Sequence, residues 1–237
     1  MNLSDKNILI TGAAKRVGRE IALALAPLSK CVVIHYHDSE QDAKALCHDI
    51  TSMGYNAHLA YADLKNSDDI YKMAEYVNCD IGPIDVLINS AALFYKTSID
   101  SMTEDEWDDM IKVNLTAPFL CSKLFGNDMK KRGCGRIINI ACVGGVIPWK
   151  NYIAYNVSKA GLIMLTKVLA KSLAPDVLVN AILPGTILPP DSNGGAIHES
   201  PLRGSPQDIV NAIKYLLIDG DFVTGTLLTV DGGRSIM

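Results

Sequence analysis

The chain has 237 residues, of which 49% are hydrophobic, and its formal net charge at pH 7 is −4. This is enough apolar material for one sizeable core, and because the hydrophobic residues are spread evenly we expect a single domain spanning residues 1–237. The pI of about 5.7 and the lack of a basic stripe or cationic run argue against a nucleic-acid-binding protein.

The sequence shows neither a targeting signal nor a membrane segment. Residues 1–7 run into a strand-like segment without an apolar leader, and no apolar stretch approaches the roughly 20 residues of a membrane helix. The six cysteines include no CxxC pair and have no secretory context. We therefore expect reduced thiols in a cytoplasmic protein.

Short apolar runs alternate with longer amphipathic stretches along the whole chain. The predicted strands are Asn7–Ile10, Cys31–His35, Asn56–Tyr61, Val86–Asn89, Arg136–Ala141, Leu178–Leu183 and Thr226–Val230. The predicted helices lie near residues 17–28, 39–53, 67–79, 104–131, 152–173 and 206–218. Continuous apolar strands such as Cys31–Ile34 indicate burial on both faces, as in a parallel sheet. The alternation predicts an α/β fold, a Rossmann-like doubly wound parallel sheet of about seven strands with right-handed crossovers.

A glycine turn, Thr11-Gly12-Ala-Ala-Lys15-Arg16-Val-Gly18, follows the first predicted strand and leads into a helix. Gly12 permits a tight turn, and Gly18 lets the helix pack close to the sheet. Backbone N–H groups in the first turn of that helix suit a pyrophosphate. Many strand-to-helix turns carry glycines without binding a ligand, but the position of this one at the first strand favours a dinucleotide site.

The end of the second strand indicates which dinucleotide binds. An NAD-selective site would place a carboxylate there for the ribose 2′-hydroxyl, and this sequence has Tyr36 instead. Arg16, with Lys15 beside it, suits a 2′-phosphate through charge-assisted hydrogen bonds. NADP(H) is therefore the expected cofactor, with NAD(H) as the less favoured alternative.

Residues after the second and third strands add to or oppose this preference. His37 and Ser39 are further donors to a phosphate, whereas the carboxylate of Asp38 would repel it. Alternatively, His35 and His37 merely share a strand face, and as a metal pair they lack further ligands. Asp63 is either an acceptor for the adenine amino group or a turn or N-cap carboxylate.

Tyr155 and Lys159 lie four positions apart in Tyr-Asn-Val-Ser-Lys, which places both side chains on one face of a helix. A nearby ammonium stabilises phenolate over phenol, so Lys159 is predicted to lower the pKa of Tyr155 from its reference of about 10. Such a tyrosine gives a proton to a carbonyl oxygen or takes one from an alcohol. Together with the dinucleotide turn, the pair predicts hydride transfer.

The sequence resembles the short-chain dehydrogenase/reductase family over essentially the whole chain. In chain order, the matching motifs are Thr11-Gly12 with Gly18, Asp63, Asn89-Ser-Ala, Asn114, Tyr155-x-x-x-Lys159, Pro184-Gly185 and Asp231-Gly232-Gly233. Within the family, the glycine turn and residues 35–39 and 89–95 look most like pteridine reductases. Residues 113–120 and the terminal Asp-Gly-Gly also look like 3-oxoacyl-carrier-protein reductases.

The resemblance implies a mechanism. Tyr155 would protonate the carbonyl oxygen during reduction, and Lys159 would lower its pKa and hold the nicotinamide ribose. Asn114 would bend its helix and hold a water that links Lys159 to solvent. The serine that the family places 13 positions before the tyrosine is Cys142 here. A thiol is a weak donor, so Cys142 either orients a substrate less well than a hydroxyl or only fills space.

The resemblance also bears on the substrate. Phe94 matches the aromatic residue that stacks the pterin in pteridine reductases, but Cys142 stands in place of their aspartate and Ala92 in place of their serine. The loop at residues 183–205, with four prolines and four glycines, is short for the family and predicts an open pocket. A threonine expected five positions after Pro184 is Pro189.

Three functions remain open on these residues. The leading hypothesis is an NAD(P)H-dependent reductase of a carbonyl or imine-like small-molecule substrate; the second is a pteridine reductase proper. The third is a cofactor-binding protein with weak turnover, which only Cys142 favours. The candidate catalytic residues are Asn114, Cys142, Tyr155 and Lys159, the substrate candidate is Phe94, and no metal is expected. The candidate cofactor residues are Gly12, Lys15, Arg16, Val17, Gly18, His37, Ser39, Asp63, Leu64, Asn89, Ala91, Tyr155, Lys159, Pro184, Gly185 and Thr186.

Assembly is expected as well. The resemblance implies pairing through the two long helices near residues 104–131 and 152–173. Leu162, Leu165 and Leu169 fall on helical spacing, either as part of such an interface or as core. We expect a homodimer or homotetramer and neither nucleic acid nor membrane as a partner.

Overall fold

The computed structural model of the chain describes residues 1–187 and 204–236. Its seven strands form one parallel sheet in the order β3-β2-β1-β4-β5-β6-β7. Their bounds are β1 Asn7–Ile10, β2 Cys31–Tyr36, β3 Ala57–Tyr61, β4 Val86–Asn89, β5 Gly135–Ile140, β6 Val177–Pro184 and β7 Leu227–Val230. The predicted doubly wound α/β sheet is confirmed, and the strands end within a residue or two of their predicted bounds, as is usual for such boundaries.

The order of the strands reverses between β1 and β4, which pair directly, with Ile8 opposite Val86 and Ile10 opposite Ile88. In an open parallel sheet the connections leave this point in opposite directions, so a crevice opens at the carboxyl ends of the two strands. The glycine turn after β1 and the Asn89-Ser-Ala segment after β4 meet there.

The two faces of the sheet are both covered, because side chains alternate along each strand. Ile8 and Ile10 belong to one core cluster with residues of the helices on that side, and Leu9 belongs to the cluster on the opposite face. All four residues of β1 are buried. This explains why the strand reads as a continuous apolar run rather than an alternating one.

The helices are α1 Arg16–Leu25, α2 Glu40–Ser52, α3 Ser67–Tyr76, α4 Glu104–Ile111, α5 Ala117–Lys131, α6 Ile153–Leu173 and α7 Pro206–Lys214. The single helix predicted near 104–131 is two helices joined by a five-residue π-helical turn, Lys112–Thr116. Such turns shift the helical register and are frequent at functional sites. This one contains Asn114.

The helix α6 is long and apolar enough to cross a membrane by length and composition, so the expectation that no such stretch exists is wrong. Its buried face packs against the sheet, and a core helix meets the same criterion. Leu162 and Leu169 belong to the core, with exposed fractions of 1% and 9%, and Leu165 is partly buried against it. These leucines are therefore core residues. The exposed apolar residues of α6 are Val157, Met164 and Val168.

Candidate active site

Gly12 and Gly18 shape the turn at the switch point. Gly12 has a φ of +63°, and a Cβ there would lie 2.8 Å from the Cα of Ala91. A Cβ on Gly18 would lie 2.3 Å from the carbonyl oxygen of Gly12. The hydroxyl of Thr11 accepts hydrogen bonds from the backbone N–H groups of Ser90 and Ala91 at 3.0 and 3.1 Å. The hydroxyl of Thr11 thus holds the ends of β1 and β4 together, and the two glycines let the turn pack tightly against Ala91.

His35 supports this turn from beneath, a role that its pattern in the sequence did not reveal. The backbone N–H of Gly12 donates to its Nδ1 at 3.0 Å, and its Nε2 lies 3.1 Å from the carbonyl oxygen of Ala62. These partners require the tautomer with a proton on Nε2. Burial lowers the pKa of His35 to about 4, so the ring is neutral near pH 7 and keeps Nδ1 free to accept.

A groove beside the turn is lined by Ala14, Lys15, Arg16, Arg19, Asp42 and Ala45. Two of its cations are paired: Lys15 Nζ lies 3.0 Å from Asp42, and Arg19 lies 2.7 Å from Asp49. Arg16 is exposed and forms no ion pair with any residue in the described ranges. Its φ of +51° is unusual for a residue other than glycine and is a form of strain common at functional sites.

The neighbouring candidates lie at the ends of β2 and β3. His37 Nδ1 is 3.2 Å from the carboxylate of Asp38, and its Nε2 is 3.9 Å from that of Asp63. Ser39 precedes α2, but its hydroxyl makes no capping hydrogen bond. Asp63 accepts from the backbone N–H of Lys65 at 2.9 Å, as a turn carboxylate does. A role for these residues in cofactor binding stays a prediction.

Asn89 lies in a buried network rather than at the surface of the crevice. Its Nδ2 donates to Asn139 Oδ1 at 2.8 Å, and Asn139 donates in turn to Thr166 on α6 at 2.9 Å. The Oδ1 of Asn89 is buried and has no hydrogen-bond partner among residues 1–187 and 204–236. Leu64 and Val17 are packed against the two core clusters, and a role for either in cofactor binding stays a prediction.

Asn114 is completely buried within the π-helical turn. Its Oδ1 accepts from the backbone N–H of Leu93 at 2.8 Å, and its Nδ2 donates to the carbonyl oxygen of Leu93 and to Ser158 Oγ, at 3.0 and 3.1 Å. The side chain therefore joins the segment after β4 to the turn of α6 that carries Lys159. Asn114 lies in a π-helical turn, and the expected bend of the helix and the water held by Asn114 stay predictions.

Tyr155 and Lys159 lie together on α6 and are both buried. The Nζ of Lys159 is 5.9 Å from the centre of the Tyr155 ring and donates to the carbonyl oxygen of Ile140 at 2.8 Å. Burial lowers the pKa of Lys159 to about 8. Burial also raises the pKa of Tyr155, and contact with Cys142 raises it further. The pKa of Tyr155 is therefore shifted upward in the protein without cofactor, whereas the sequence predicted a downward shift. Loss of water around the phenolate outweighs the stabilising effect of the nearby ammonium.

Cys142, which the resemblance sets at the position of the family's serine, lies beside Tyr155. It is 5% exposed and caps a short 3₁₀ turn, where its Sγ accepts from the backbone N–H of Gly144 at 3.4 Å. Its thiol donates to the carbonyl oxygen of Pro184 at 3.6 Å. The side chain also contacts Tyr155, and a role for it in orienting the substrate stays a prediction.

Aromatic side chains surround the phenol. Phe94 meets Tyr155 edge to face at 4.7 Å between ring centres and stacks on Tyr152 at 5.1 Å, and it is 52% exposed. Trp149 stacks on Tyr155 at 6.2 Å with an interplanar angle of 13°. Phe94 was predicted to line the substrate side. Trp149 and Tyr152 were missed, although three aromatic residues within seven positions of the sequence were a usable signal.

The end of β6 completes the site. The backbone N–H of Gly185 donates to Val230 at 3.0 Å, which places Thr186 near the chain that follows β7. The hydroxyl of Thr186 accepts a hydrogen bond from Arg234, whose guanidinium carbon lies 4.8 Å from the centre of the Trp149 ring. Arg234 carried no signal in the sequence. The predicted shortened lid, with Pro189, falls outside the described residues.

Comparisons with known proteins agree with this geometry. The sequence model of the family described as "short chain dehydrogenase" matches residues 6–196. A 3-oxoacyl-[acyl-carrier-protein] reductase of Synechocystis sp. is 35% identical, over 98% of this chain and 97% of that protein. A gluconate 5-dehydrogenase from Burkholderia cenocepacia, solved with NADP and tartrate, superposes with a TM-score of 0.91 at 25% identity and covers 100% of this chain and 97% of its own. A blue fluorescent protein from a metagenomic library, solved with NADPH, gives a TM-score of 0.89 at 29% identity over 99% of both chains.

The family match spans most of the chain, and the relative just described is similar over nearly its full length. The buried tyrosine and lysine and the glycine turn at the switch point are the chemistry that a dehydrogenase needs. The chain therefore belongs to the short-chain dehydrogenase/reductase family of oxidoreductases.

Proposed function

We propose that this protein reduces a carbonyl or imine-like carbon of a small molecule with NADPH, and that Tyr155 supplies the proton. The observation that carries the proposal is the burial of Tyr155 beside Lys159. Burial raises the pKa of the phenol, so the phenol is protonated at neutral pH. It is thus in the form that donates a proton to the substrate oxygen.

The residues of the chain have separate tasks in this reaction. NADPH bound in the crevice would supply the hydride to the substrate carbon, while the phenolic proton of Tyr155 goes to the substrate oxygen. Lys159, with a pKa of about 8, is largely protonated at pH 7 and stabilises the phenolate that this transfer leaves behind. Asn114 and Ser158 hold the neighbouring turn of α6 in place through their 3.1 Å hydrogen bond.

The residues around the switch point fit the cofactor. The first turn of α1 offers its backbone N–H groups to a pyrophosphate, and Arg16, which has no ion-pair partner in the described residues, suits a 2′-phosphate. His37 and the hydroxyl of Ser39, which makes no capping hydrogen bond to α2, are further candidate donors to that phosphate. Structural neighbours solved with NADP and NADPH support the same choice of cofactor.

Two narrower substrates have specific support. The exposed ring of Phe94 beside Tyr155 favours a flat heterocycle, as in a pteridine reductase, although Cys142 and Ala92 replace the two polar residues which that group carries. The names of two bacterial relatives, 35% and 34% identical to this chain, favour a 3-oxoacyl thioester. A weakly active cofactor-binding protein is the remaining alternative, and the intact Asn114, Tyr155 and Lys159 argue against it.

A substrate panel tests the proposal. Oxidation of NADPH is followed by its absorbance with acetoacetyl-CoA, 7,8-dihydrobiopterin and simple aryl ketones, for the wild type and for Tyr155→Phe. We expect turnover of at least one substrate and a loss of about 10²–10⁴-fold in kcat for the variant, with NADPH affinity changed by less than a few fold. NADPH binding without any turnover would favour the cofactor-binding alternative, and a variant that kept half of the wild-type kcat would exclude Tyr155 as the acid.

We also propose that the protein works in the reducing environment of the cytoplasm. All six cysteines are free, and burial raises the pKa of Cys31 to about 11 and that of Cys121 to about 12. Such thiols are poor nucleophiles. Retention of full activity after purification with an excess of reductant, and no disulfide in the native protein by mass spectrometry, is the expected result.

A further inference from the structure

Arg234, in the segment after β7, lies at the catalytic end of the crevice. Its guanidinium carbon is 4.8 Å from the centre of the Trp149 ring, and its Nη1 donates to the hydroxyl of Thr186. Cation–π stacking and a hydrogen bond hold the planar group in one orientation. Of the five N–H donors on a guanidinium, one is engaged by this hydrogen bond.

The charge of Arg234 is not balanced by the part of the chain that the structure describes. Arg19, Arg132 and Arg136 each form an ion pair with an aspartate, whereas no carboxylate in residues 1–187 or 204–236 lies within ion-pair distance of Arg234. The nearby carboxylate of Asp231 instead accepts from the backbone N–H groups of Gly233 and Ser235, at 2.9 and 2.7 Å. A cation held in place but left without a partner is suited to an anionic ligand.

One side chain connects this cation to the reacting group. Trp149 stacks on Tyr155 at 6.2 Å between ring centres and also lies under Arg234. Phe94 also meets the phenol, edge to face, at 4.7 Å between ring centres. A substrate whose carbonyl oxygen reaches Tyr155 therefore lies against aromatic rings. Besides the ammonium of Lys159, which lies 5.9 Å from the centre of the phenol ring, the guanidinium over Trp149 is the cation that such a substrate can meet.

We propose that Arg234 is a specificity-determining residue that binds a carboxylate of the substrate. The substrates are planar, conjugated carbonyl compounds that carry an acid group away from the carbonyl that is reduced. The aromatic rings accept the flat body, and the fork of the guanidinium accepts the two oxygens of the carboxylate. This inference rests on the proposed reductase function and narrows its substrate class.

The experiment compares 4-acetylbenzoate with its neutral methyl ester as substrates of the full-length enzyme with saturating NADPH. A charge-assisted hydrogen bond contributes about 1.5–3 kcal/mol, so we expect the wild type to prefer the acid by about 10- to 100-fold in kcat/KM. In Arg234→Met the preference should vanish, because kcat/KM for the acid should fall about 10- to 100-fold further than kcat/KM for the ester. Arg234→Lys, which keeps the charge but loses the fork, should retain part of the preference.

Lys131→Met is the matched control. It removes one exposed cation from the end of α5, at the opposite edge of the sheet from the crevice, and should leave the preference for the acid intact. Equal use of acid and ester by the wild type would overturn the proposal. So would an Arg234→Met enzyme that keeps the preference, or one in which only the KM for NADPH rises.

A binding measurement separates this inference from the proposed function. In a Trp107→Phe background Trp149 is the only tryptophan, and quenching of its fluorescence reports ligand binding in the NADP⁺ complex without turnover. We expect 4-acetylbenzoate to bind about 10- to 100-fold more tightly than the ester and the difference to vanish in Arg234→Met. If neither ketone is reduced but this difference is found, the reductase proposal fails for these ketones and the anion site stands. If both bind alike, the anion site is wrong.

Discussion

The thiol of Cys142 donates a hydrogen bond to the carbonyl oxygen of Pro184, with 3.6 Å between Sγ and O. Cys142 follows β5, and Pro184 is the last residue of β6, so this contact joins the carboxyl ends of two neighbouring strands directly beside Tyr155. The residue that replaces the family's serine is thus held in the active site. A donor already engaged with a backbone carbonyl is a weak one for a substrate.

Replacement of Cys142 tests its role. Cys142→Ser puts a better donor at the same place, and because a neutral hydrogen bond contributes about 0.5–1.5 kcal/mol, we expect a gain of roughly 2- to 10-fold in kcat/KM on simple ketones. Cys142→Ala should be no more active than the wild type, and neither change should alter the Kd for NADPH. Initial rates with one aryl ketone check this. Two variants equal to the wild type would make Cys142 a filler, and a large loss in Cys142→Ser would show that the thiol itself is needed.

The preference for NADPH is the second prediction. Because Arg16 has no ion-pair partner in the described residues and Tyr36 stands where a carboxylate would bind a ribose hydroxyl, kcat/KM should be higher with NADPH than with NADH. Arg16→Met should weaken NADPH binding by about 10- to 100-fold and leave NADH binding unchanged. The exposed Lys171→Met serves as the control.

Asp38 provides a test in the opposite direction. Its carboxylate is 88% exposed and lies 3.2 Å from His37, close to where the phosphate is expected, so Asp38→Asn should increase the preference for NADPH. Equal kcat/KM with the two cofactors in the wild type would show that the 2′-phosphate is not recognised.

The acid stability of the protein should depend on His35. Because its pKa is lowered from 6.5 to about 4 in the folded state, the unfolded chain binds the proton first as the pH falls. The free energy of unfolding therefore falls between pH 6.5 and pH 4, and the contribution of His35 is roughly 3 kcal/mol. Chemical denaturation at a series of pH values measures the slope.

A neutral replacement isolates this contribution. His35→Gln has an amide oxygen for the N–H of Gly12 and an amide N–H for the carbonyl of Ala62, but it does not titrate. We expect its stability to fall less steeply between pH 6.5 and pH 4, whereas the exposed His48→Gln should follow the wild type. The same slope in His35→Gln and the wild type would contradict the role of His35.

Assembly is the fourth prediction. Val157, Met164 and Val168 on α6 and Phe119 on α5 are 43–59% exposed, and an apolar face of this kind on neighbouring helices is typical of an interface between subunits. We predict a homo-oligomer, with a tetramer as the expected form. Light scattering at micromolar concentration should give a multiple of the 25.6 kDa chain mass.

A charged residue on that face supplies the matching variant. Met164→Glu should shift the mass toward a single chain, while Lys131→Met, at the end of α5, should not. A wild-type protein that elutes and scatters as one chain would refute the prediction of an oligomer.

Local patterns in the sequence were enough to predict the parallel sheet, the glycine turn after β1 and the proximity of Tyr155 and Lys159 on one helix. Strands such as β1 are recognisable because burial on both faces requires a continuous apolar run, and a four-residue spacing sets two side chains on one helical face whatever the rest of the chain does. Cys142 and Phe94 were assigned from the resemblance to known families; the structure places both beside Tyr155, and their roles stay predictions.

Contacts between distant segments decided the rest. Arg234 meets Trp149 and Thr186 only because β6 and β7 are neighbours in the sheet, and His35 reaches Gly12 only because β1 and β2 pair. The direction in which the pKa of Tyr155 shifts was also decided by the tertiary structure. The helical spacing reveals one nearby ammonium, whereas the desolvation of the phenol depends on every segment that packs around it. Such contacts join residues that are far apart in the sequence, and no short sequence pattern predicts which strand ends will lie side by side.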